Sequence, residues 1–309
     1  MSKLRTIGLA LLAVVVAGGA ALYRPDLPVE SLKPKYAPPP SRFVRVEGMD
    51  VHYRDEGPRG APTVVLLHGM GASLHTWDGW TRALEDSLRV VRLDLPGYGL
   101  TGPFPQGDYS NAAYVRFLDA FLTAVDVPRA SLAGNSMGGE IAWRYTVAHP
   151  PRVEKLILVD AAGYPYGEIP GFFKLLGTPG LAPLLTKLSP RWMYANNLTQ
   201  VYADDAKVTD ALVDRYYDLT RREGNRGAFL KRSLIQDTTP FAEIRAIRAP
   251  TLVQWGAEDL WIPKAVADTF RVYIPGARVV MYDSVGHLPM EEIPERSAAD
   301  ARRFLLGGG

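Results

Sequence analysis

Short apolar runs alternate with amphipathic stretches along most of the chain after residue 41. Six such runs lie among Gly, Pro or Asp residues: Val64–Leu67, Val90–Leu93, Leu132–Ala133, Leu156–Val159, Thr251–Gln254 and Arg278–Met281. Between them, Ala112–Ala124 and Met137–Ala148 place their apolar residues at helical spacing. Continuous apolar strands interleaved with helices are typical of a parallel sheet covered on both faces. The pattern predicts an α/β fold, with a hairpin of Phe43–Glu47 and Val51–Arg54 at its start.

The alternation stops between Tyr164 and about Pro240. This stretch is rich in leucine and in aromatic residues at helical spacing: Tyr164, Tyr166, Phe172, Phe173, Trp192, Tyr194 and Tyr202. We expect a helical insertion at residues 164–240, which divides the α/β core into residues 41–163 and 241–309. The aromatic side chains fit either a substrate pocket or the insertion's own core.

The first 22 residues form a separate segment, in which Lys3 and Arg5 precede the uncharged run Ile7–Leu22. A basic start before an apolar run is typical of a cleavable secretory signal. The run is also near the minimum of about 17 residues for a membrane-spanning helix. Its small residues make no sharp cleavage site, which favours an anchor at residues 7–22. We therefore expect an exported protein, anchored in the inner membrane and facing the periplasm, or periplasmic or secreted if the segment is cleaved.

Residues 23–40 contain six prolines: Pro25, Pro28, Pro34, Pro38, Pro39 and Pro40. Because proline interrupts helices and favours extended backbone, this composition predicts a spacer between the N-terminal segment and the core. A variant beginning near Ser41 is then expected to be fully active.

Composition excludes several classes of function. The 309 residues carry 35 Lys and Arg against 33 Asp and Glu, a net charge of +2, and no basic run that would bind nucleic acid. Without cysteine, the chain has no disulfide, thiolate nucleophile or cysteine metal site. Its five histidines lack the spacing of a zinc-binding helix pair, so no metal is expected. His52 and His75 are expected at the surface or in packing roles.

The strongest chemical signal is Gly134-Asn135-Ser136-Met137-Gly138, a G-x-S-x-G sequence between an apolar strand and an amphipathic helix. In that context the serine lies on a sharp strained turn, and the glycines allow the helix to approach the sheet. The alternative is a structural serine in a glycine-rich turn. The pattern predicts that Ser136 is a nucleophile.

A serine nucleophile needs a base and an acid that orients the base. His287 follows the last apolar run, and Asp259 follows the run before it. Both positions, like Ser136, lie where parallel strands end, at the edge of the sheet that carries active sites. Asp160 and Glu258 are alternative acids, since Asp160 also follows an apolar run.

The loop His68-Gly69-Met70-Gly71-Ala72-Ser73 follows another apolar run. Backbone amides that surround a developing oxyanion stabilise it by roughly 3–4 kcal/mol per donor. The amides of Met70 and Met137 are the predicted donors, and His68 is expected to order the loop. The alternative is an ordinary glycine-rich turn.

Together these motifs resemble the α/β-hydrolase superfamily. HGMGAS, DLPGYG (Asp94–Gly99), GNSMGG, WGAEDLWIP and SVGHLPMEE occur in the family's order, and the resemblance spans residues 41–309. Within the superfamily the chain is most similar to bacterial esterases and lipases with a helical cap. The resemblance implies an eight-stranded, mostly parallel sheet, a cap over the site, a structural DLPGYG segment and no cofactor. It implies the same catalytic roles: Ser136, Asp259, His287, and the amides of Met70 and Met137.

The resulting expectation is hydrolysis of a small-molecule carboxylic ester, with an apolar or lipid-like acyl group, through an acyl-enzyme. Haloalkane dehalogenases and epoxide hydrolases share the fold but use an aspartate nucleophile, so Ser136 argues against them. The alternative is a hydrolase of C–C bonds in ring-fission products, or of amides or thioesters, with the same triad. An anionic ring-fission product would need cationic cap residues, for which four are available: Arg191, Lys207, Arg215 and Arg221. A non-catalytic binding protein is a third hypothesis.

Overall fold

The computed structural model describes residues 18–164, 186–235 and 240–307. Eight strands form one sheet in the order β1-β2-β4-β3-β5-β6-β7-β8. The strands are β1 Arg42–Val46, β2 Met49–Glu56, β3 Thr63–Leu67, β4 Arg89–Leu93, β5 Ala130–Asn135, β6 Val153–Val159, β7 Thr251–Gly256 and β8 Arg278–Tyr282. The β1–β2 and β2–β4 pairs are antiparallel, and the other pairs are parallel. The predicted fold class, an eight-stranded and mostly parallel sheet, is confirmed.

The helices connect these strands and cover the sheet. They are α1 Val29–Tyr36, α2 Asp78–Leu84, α3 Asn111–Ala124, α4 Met137–Ala148, α5 Arg191–Val201, α6 Asp210–Thr220, α7 Asn225–Ser233, α8 Ala265–Tyr273, α9 Pro289–Glu292 and α10 Pro294–Leu306. Short 3₁₀ helices occupy Leu74–Trp77, Pro150–Arg152, Asp205–Lys207 and Phe241–Ala246. Most of the connections between parallel strands therefore contain a helix, as parallel pairing requires.

Both faces of the sheet are buried, which explains the uninterrupted apolar strands. Val65 and Leu67 of β3 belong to one core cluster, together with Phe117 of α3. Val64 and Leu66 alternate with them and belong to a second cluster. Trp80 of α2 and Phe304 of α10 are among the other members of that second cluster. Since successive side chains of a strand point to opposite faces, the two clusters occupy opposite sides of the sheet.

Three helices, α5 to α7, lie between β6 and β7, in the described part of the predicted insertion. The side chains of Tyr194 and Tyr202 pack in the second core cluster, whereas Trp192 is exposed. The structure thus gives Tyr194 and Tyr202 a packing role. Tyr166, Phe172 and Phe173 lie outside the described residues.

The prediction of an extended proline-rich spacer is wrong, because residues 29–36 form helix α1. Pro34 lies inside this helix, but the remaining prolines flank it. Leu32 and Tyr36, four residues apart on one helix face, are buried with Leu100 and Leu219 of the rest of the molecule. Burial of this apolar face offsets the cost of one helical proline.

Residues 23–37, here called the N-terminal strap, bind the cap on one side and the core on the other. The Asp26 carboxylate pairs with Arg226 and Lys187, both in the 164–240 insertion. The Tyr36 hydroxyl donates to the Asp218 carboxylate at 2.8 Å, and the Tyr36 carbonyl lies 2.9 Å from Nε2 of His75 in the core. The strap therefore joins two parts of the fold, which an extended linker would not do.

Most of the apolar run Ile7–Leu22 lies outside the described residues, which begin at residue 18. Among the residues that the structure describes, no helix combines the length and the apolar character needed to cross a membrane.

Candidate active site

Ser136 lies at the sharp turn from β5 into α4, with φ 51° and ψ −120°. Its backbone amide donates to the Val159 carbonyl at 3.0 Å, and its own carbonyl accepts from the amide of Ala162, also at 3.0 Å. A Cβ at Gly134 or Gly138 would overlap neighbouring backbone, so both positions require glycine. This strained turn leaves the Ser136 side chain partly exposed, as a nucleophile must be.

The structure brings His287 and Asp259 together. Nδ1 of His287 lies 2.7 Å from Oδ2 of Asp259. The other carboxylate oxygen of Asp259 accepts from the amides of Trp261 and Ile262, at 2.7 and 3.0 Å. A carboxylate that accepts these bonds is held in one orientation, and it fixes the proton of the neutral imidazole on Nδ1. The Trp261 ring stacks beside the imidazole, with ring centroids 6.1 Å apart.

Two hydrogen bonds to the backbone of His287 hold its loop at the end of β5. The side-chain amide of Asn135 donates to the His287 carbonyl at 3.0 Å. The His287 amide donates to the carbonyl of Val201, at the end of α5, at 2.7 Å. Residues on β5 and in the cap therefore both position the loop after β8. Asn135 lies within the G-x-S-x-G motif, but this position of the motif carries no signal for such a role.

Glu292 is a second positioning residue that the sequence did not predict. Its buried carboxylate accepts from the Gly286 amide at 2.7 Å, directly before His287, and from the Ala203 amide at 2.9 Å. Burial raises the pKa of the Glu292 carboxyl, although these two amides oppose the increase. The SVGHLPMEE string contained this glutamate, but its long-range partner Ala203 could not be identified from spacing.

The two alternative acids occupy different environments. Glu258 is exposed. Asp160 is fully buried at the end of β6, and it accepts a hydrogen bond from the Gly256 amide at 2.9 Å. Burial, followed by the neighbouring Asp259 charge, raises the pKa of Asp160 well above its ordinary value. The hydrogen bond of His287 is made to Asp259, the acid that the spacing favours.

The loop after β3 is ordered by His68, as expected. Its Nε2 accepts from the Leu95 amide at 3.0 Å, so Nδ1 carries the proton and donates to the Gly69 carbonyl at 2.7 Å. Burial lowers the pKa of His68 and keeps the ring neutral. Within the described residues, the amides of Met70 and Met137 donate to no protein acceptor. Both amides are therefore available to an oxyanion.

Asp94, the first residue of DLPGYG, has a structural role. Its buried carboxylate accepts from the amides of Leu74 and Leu100 at 2.7 and 2.8 Å, and lies 2.7 Å from Nδ1 of His52. Burial alone would raise the pKa of Asp94, but the contact with His52 lowers it strongly. This carboxylate joins the loops after β3 and β4 to the middle of β2. His52 and His75 are both buried, so their roles are in packing.

The four cap cations that could bind an anionic substrate have different partners. Arg191 pairs with Asp210 and Asp214 near the surface. Lys207 donates to the Glu292 carbonyl, and Arg221 donates to the Pro25 carbonyl. Arg215 pairs with Glu291 and, together with Tyr216 and Leu219, faces a small cleft against Gly71–Ser73. Of these four cations, Arg215 is the one beside the predicted oxyanion loop.

One group of potential metal ligands occurs among the described residues, formed by Asp160, Asp259 and His287, whose ligand atoms lie within 4.8 Å of one another. The Nδ1 atom of His287 carries the proton of the Asp259 hydrogen bond, so it has no lone pair for a metal. Asp259 already accepts three N–H donors. This donor set is that of a hydrogen-bonded pair and does not fit a metal site.

Among solved structures, the chain is similar to one described as a membrane phospholipase A and a bacterial virulence factor. The two share 30% sequence identity with a TM-score of 0.75, over 99% of each chain. The overall fold is therefore that of a known hydrolase.

Two curated relatives are named 2-hydroxy-6-oxononadienedioate/2-hydroxy-6-oxononatrienedioate hydrolases. The protein of Cupriavidus pinatubonensis is 32% identical over 80% of this chain and 89% of its own length. The protein of Paraburkholderia xenovorans is 31% identical over 83% of this chain and 92% of its own length. The prediction of carboxylic ester hydrolysis is wrong by this comparison, because the names are those of C–C bond hydrolases, the alternative class. Motifs around the triad could not separate the two classes, since both use the same triad.

The sequence model of the alpha/beta hydrolase fold matches residues 62–294. This range contains the Ser136 turn, the His287–Asp259 pair and the oxyanion loop. From its sheet, the geometry of these residues and this match, the chain belongs to the α/β-hydrolase family and is a hydrolase.

Proposed function

We propose that this enzyme hydrolyses a C–C bond in a 2-hydroxy-6-oxo-dienoate, the class of compound formed when an aromatic ring is opened. The observation that carries the proposal is the more than 30% identity, over at least four fifths of the chain, to two hydrolases named for such substrates. The Ser136 turn and the His287–Asp259 pair supply the groups that this chemistry needs.

The reaction requires an electron sink for the breaking bond. Moving the 2-hydroxyl proton to C5 converts the dienol into a 2,6-diketone. Ser136 Oγ then adds to the C6 carbonyl while His287 takes its proton, and the amides of Met70 and Met137 bind the oxyanion. The C5–C6 bond breaks, its electron pair passes into the 2-oxo group, and His287 returns the proton to that oxygen. Water, deprotonated by His287, finally hydrolyses the acyl-serine.

A substrate with carboxylate groups also needs a cation near the site. Arg215 supports the proposal because it lines the cleft beside Gly71–Ser73. Its guanidinium pairs with Glu291, so a substrate carboxylate would share this cation with Glu291. Guanidinium groups bind carboxylates through two parallel N–H bonds. We assign Arg215 to one substrate carboxylate.

The test is a direct comparison of substrates on the full chain. We expect 2-hydroxy-6-oxonona-2,4-dienedioate to lose its conjugated absorbance with a higher kcat/KM than any p-nitrophenyl ester from C2 to C16. Ser136→Ala should lower kcat by about 10⁴–10⁶-fold, whereas Ser87→Ala, distant from the site, should not. Hydrolysis of phospholipids or p-nitrophenyl esters without dienoate cleavage would contradict the proposal.

We also propose that the protein is exported, on the basis of Lys3, Arg5 and the uncharged Ile7–Leu22 run. N-terminal sequencing of the mature protein separates the two forms of export. A start near residues 20–22 means a cleaved signal, and an intact N-terminus in the membrane fraction means an anchor. Unprocessed protein found wholly in the cytoplasm would exclude both.

A further inference from the structure

The Asp160 side chain is a buried carboxyl group with an incomplete set of hydrogen bonds. It lies at the end of β6 with a backbone φ of 44°, and its solvent exposure is zero. Oδ1 accepts from the Gly256 amide at 2.9 Å. Oδ2 is buried and has no partner among the donors of the described residues. A buried ionised oxygen without a donor is costly, so this atom needs either a proton or a donor.

The Asp259 carboxylate lies beside it, within 4.8 Å, as does the ring of His287. Two adjacent buried carboxyl groups do not both ionise, because their charges repel in a medium of low dielectric. Asp259 accepts three N–H bonds, whereas Asp160 accepts one. Hydrogen bonds favour the charged form, so the negative charge belongs on Asp259 and the proton on Asp160.

The other acidic groups around Asp160 also favour its protonated form. Glu292 of α9 and Tyr282 at the end of β8 also interact electrostatically with Asp160. Burial raises the pKa of Asp160, and the negative charges of Asp259 and Glu292 raise it further, while the Gly256 amide lowers it less. The nearest ring that could carry a positive charge is His287, which already pairs with Asp259.

We propose that Asp160 is a positioning residue for the predicted triad, carrying a proton on Oδ2 that it donates to the Asp259 carboxylate. This bond holds the Asp259 carboxylate in the orientation that faces His287. It also reduces the negative charge of Asp259 that acts on the imidazole. The inference rests on the triad of the proposed function, but it does not depend on which substrate is cleaved.

Asp160→Asn is the most informative variant, because an amide donates to Asp259 and still accepts from Gly256. The readout is the rate at which a fluorophosphonate labels Ser136, measured from pH 5 to pH 9, which needs no substrate. We expect a rate within about threefold of the wild-type rate and an unchanged midpoint of the acid limb. Asp259→Asn should instead abolish most labelling, because the amide favours the wrong imidazole tautomer.

Asp160→Leu removes the O–H donor, so the full negative charge of Asp259 acts on the imidazole of His287. It should lower labelling at least tenfold and move the midpoint to higher pH, since the protonated ring is then favoured. A midpoint that moves to lower pH in Asp160→Asn would overturn the proposal, because it would mean that an ionised Asp160 had been removed. Unchanged labelling and midpoint in a folded Asp160→Leu would also overturn it, by leaving Asp160 only a structural role.

A measurement on the wild-type protein covers the case in which Asp160→Leu does not fold. The ¹³C resonance of the Asp160 carboxyl group is assigned by its absence in Asp160→Asn. We expect the chemical shift of a protonated acid that stays constant from pH 5 to pH 8. A carboxylate shift over this range would refute the proposal, whether or not the enzyme cleaves dienoates.

Discussion

The side-chain amide of Asn135 donates to the carbonyl oxygens of both His287 and Val159, at 3.0 and 3.2 Å. The residue before Ser136 therefore joins the ends of β5 and β6 to the loop after β8. This contact brings the backbone of His287, 151 residues after the serine in sequence, to the end of β5 directly before Ser136, and the Val201 carbonyl holds the same loop from the cap.

Asn135→Ala should disturb the histidine loop without removing a catalytic group. A displacement of about 1 Å between reacting groups costs roughly 10²-fold in rate, so we expect kcat to fall about 10–100-fold, with little change in KM. Asn111→Ala is the matched control, because Asn111 is a buried asparagine whose amide bonds Glu140 at 2.8 Å, away from His287. Equal kcat values for the two variants, measured on the same substrate, would show that the Asn135 contact does not position the histidine.

Arg215→Gln tests the proposed carboxylate contact in the cleft. Hydrogen bonds to charged groups contribute about 1.5–3 kcal/mol, so the KM for a dienoate should rise about 10–100-fold while kcat changes less. Arg191→Gln removes a cap cation that pairs with Asp210 and Asp214 near the surface, and its KM should equal that of the wild type. Because Arg215→Gln leaves Glu291 unpaired, the melting temperature must be measured in parallel. If KM is unchanged in folded Arg215→Gln, Arg215 does not bind the substrate.

The sheet and the serine were predictable because their signals are local. Both faces of β3 are buried, so Val64–Leu67 had to be apolar throughout, and the turn at Ser136 imposes glycine within two residues. The choice between Asp259 and Asp160 depends on the path of the loop after β8, which is a long-range property. The sequence placed both Asp259 and Asp160 after apolar runs, and the spacing of acid and histidine favoured Asp259, but no local pattern showed that the two carboxyl groups would be buried side by side.

The prediction of a proline-rich spacer failed because composition outweighed position. Six prolines suggested an extended spacer, yet Leu32 and Tyr36 have the four-residue spacing of a buried helix face. His75 has the second of its two predicted roles, in packing, but its polar neighbours in sequence did not reveal that the strap covers it. Tyr36 and His75 bury each other through a contact between distant parts of the chain, which no local sequence pattern contains.

His75 predicts how stability depends on pH. Its Nε2 donates to the Tyr36 carbonyl at 2.9 Å, and Nδ1 accepts from the Ser73 hydroxyl at 3.1 Å, so the ring is neutral. Burial lowers the pKa of His75 to about 4. Between pH 6.5 and pH 4 the unfolded state binds this proton and the folded state does not. The free energy of unfolding should therefore fall by about 3 kcal/mol over that range through His75 alone.

Urea unfolding at pH 7 and at pH 4.5 measures this difference. In His75→Gln the loss of stability on acidification should be smaller than in the wild type, although the variant is less stable at pH 7. Burial also lowers the pKa of His68. His68 should therefore contribute to the pH dependence of stability in both proteins. An identical loss of stability in the wild type and in His75→Gln would show that His75 is not the group responsible.

Removal of the N-terminal strap should destabilise the enzyme, whereas removal of an extended spacer would leave its stability unchanged. Burial of Leu32 and Tyr36 contributes about 1.5–3 kcal/mol for each side chain. A variant beginning at Ser41 loses both contacts, together with the Asp26 carboxylate that pairs with buried Arg226. We expect its melting temperature to fall by about 10 °C or more relative to a variant beginning at Tyr23. The KM should also rise, because α6 and α7 lose the element that ties them to the core.

Single substitutions separate the helix from the rest of the strap. Leu32→Ala should cost about 2–5 kcal/mol, as other buried leucines do. Lys33→Ala removes an exposed pair with Glu30 and a contact with the exposed Phe43 ring, and should cost about 1 kcal/mol. Equal melting temperatures for the variants beginning at Tyr23 and Ser41 would restore the spacer interpretation. A lower melting temperature with unchanged KM would limit the strap to stability, since α6 and α7 would then keep their positions without it.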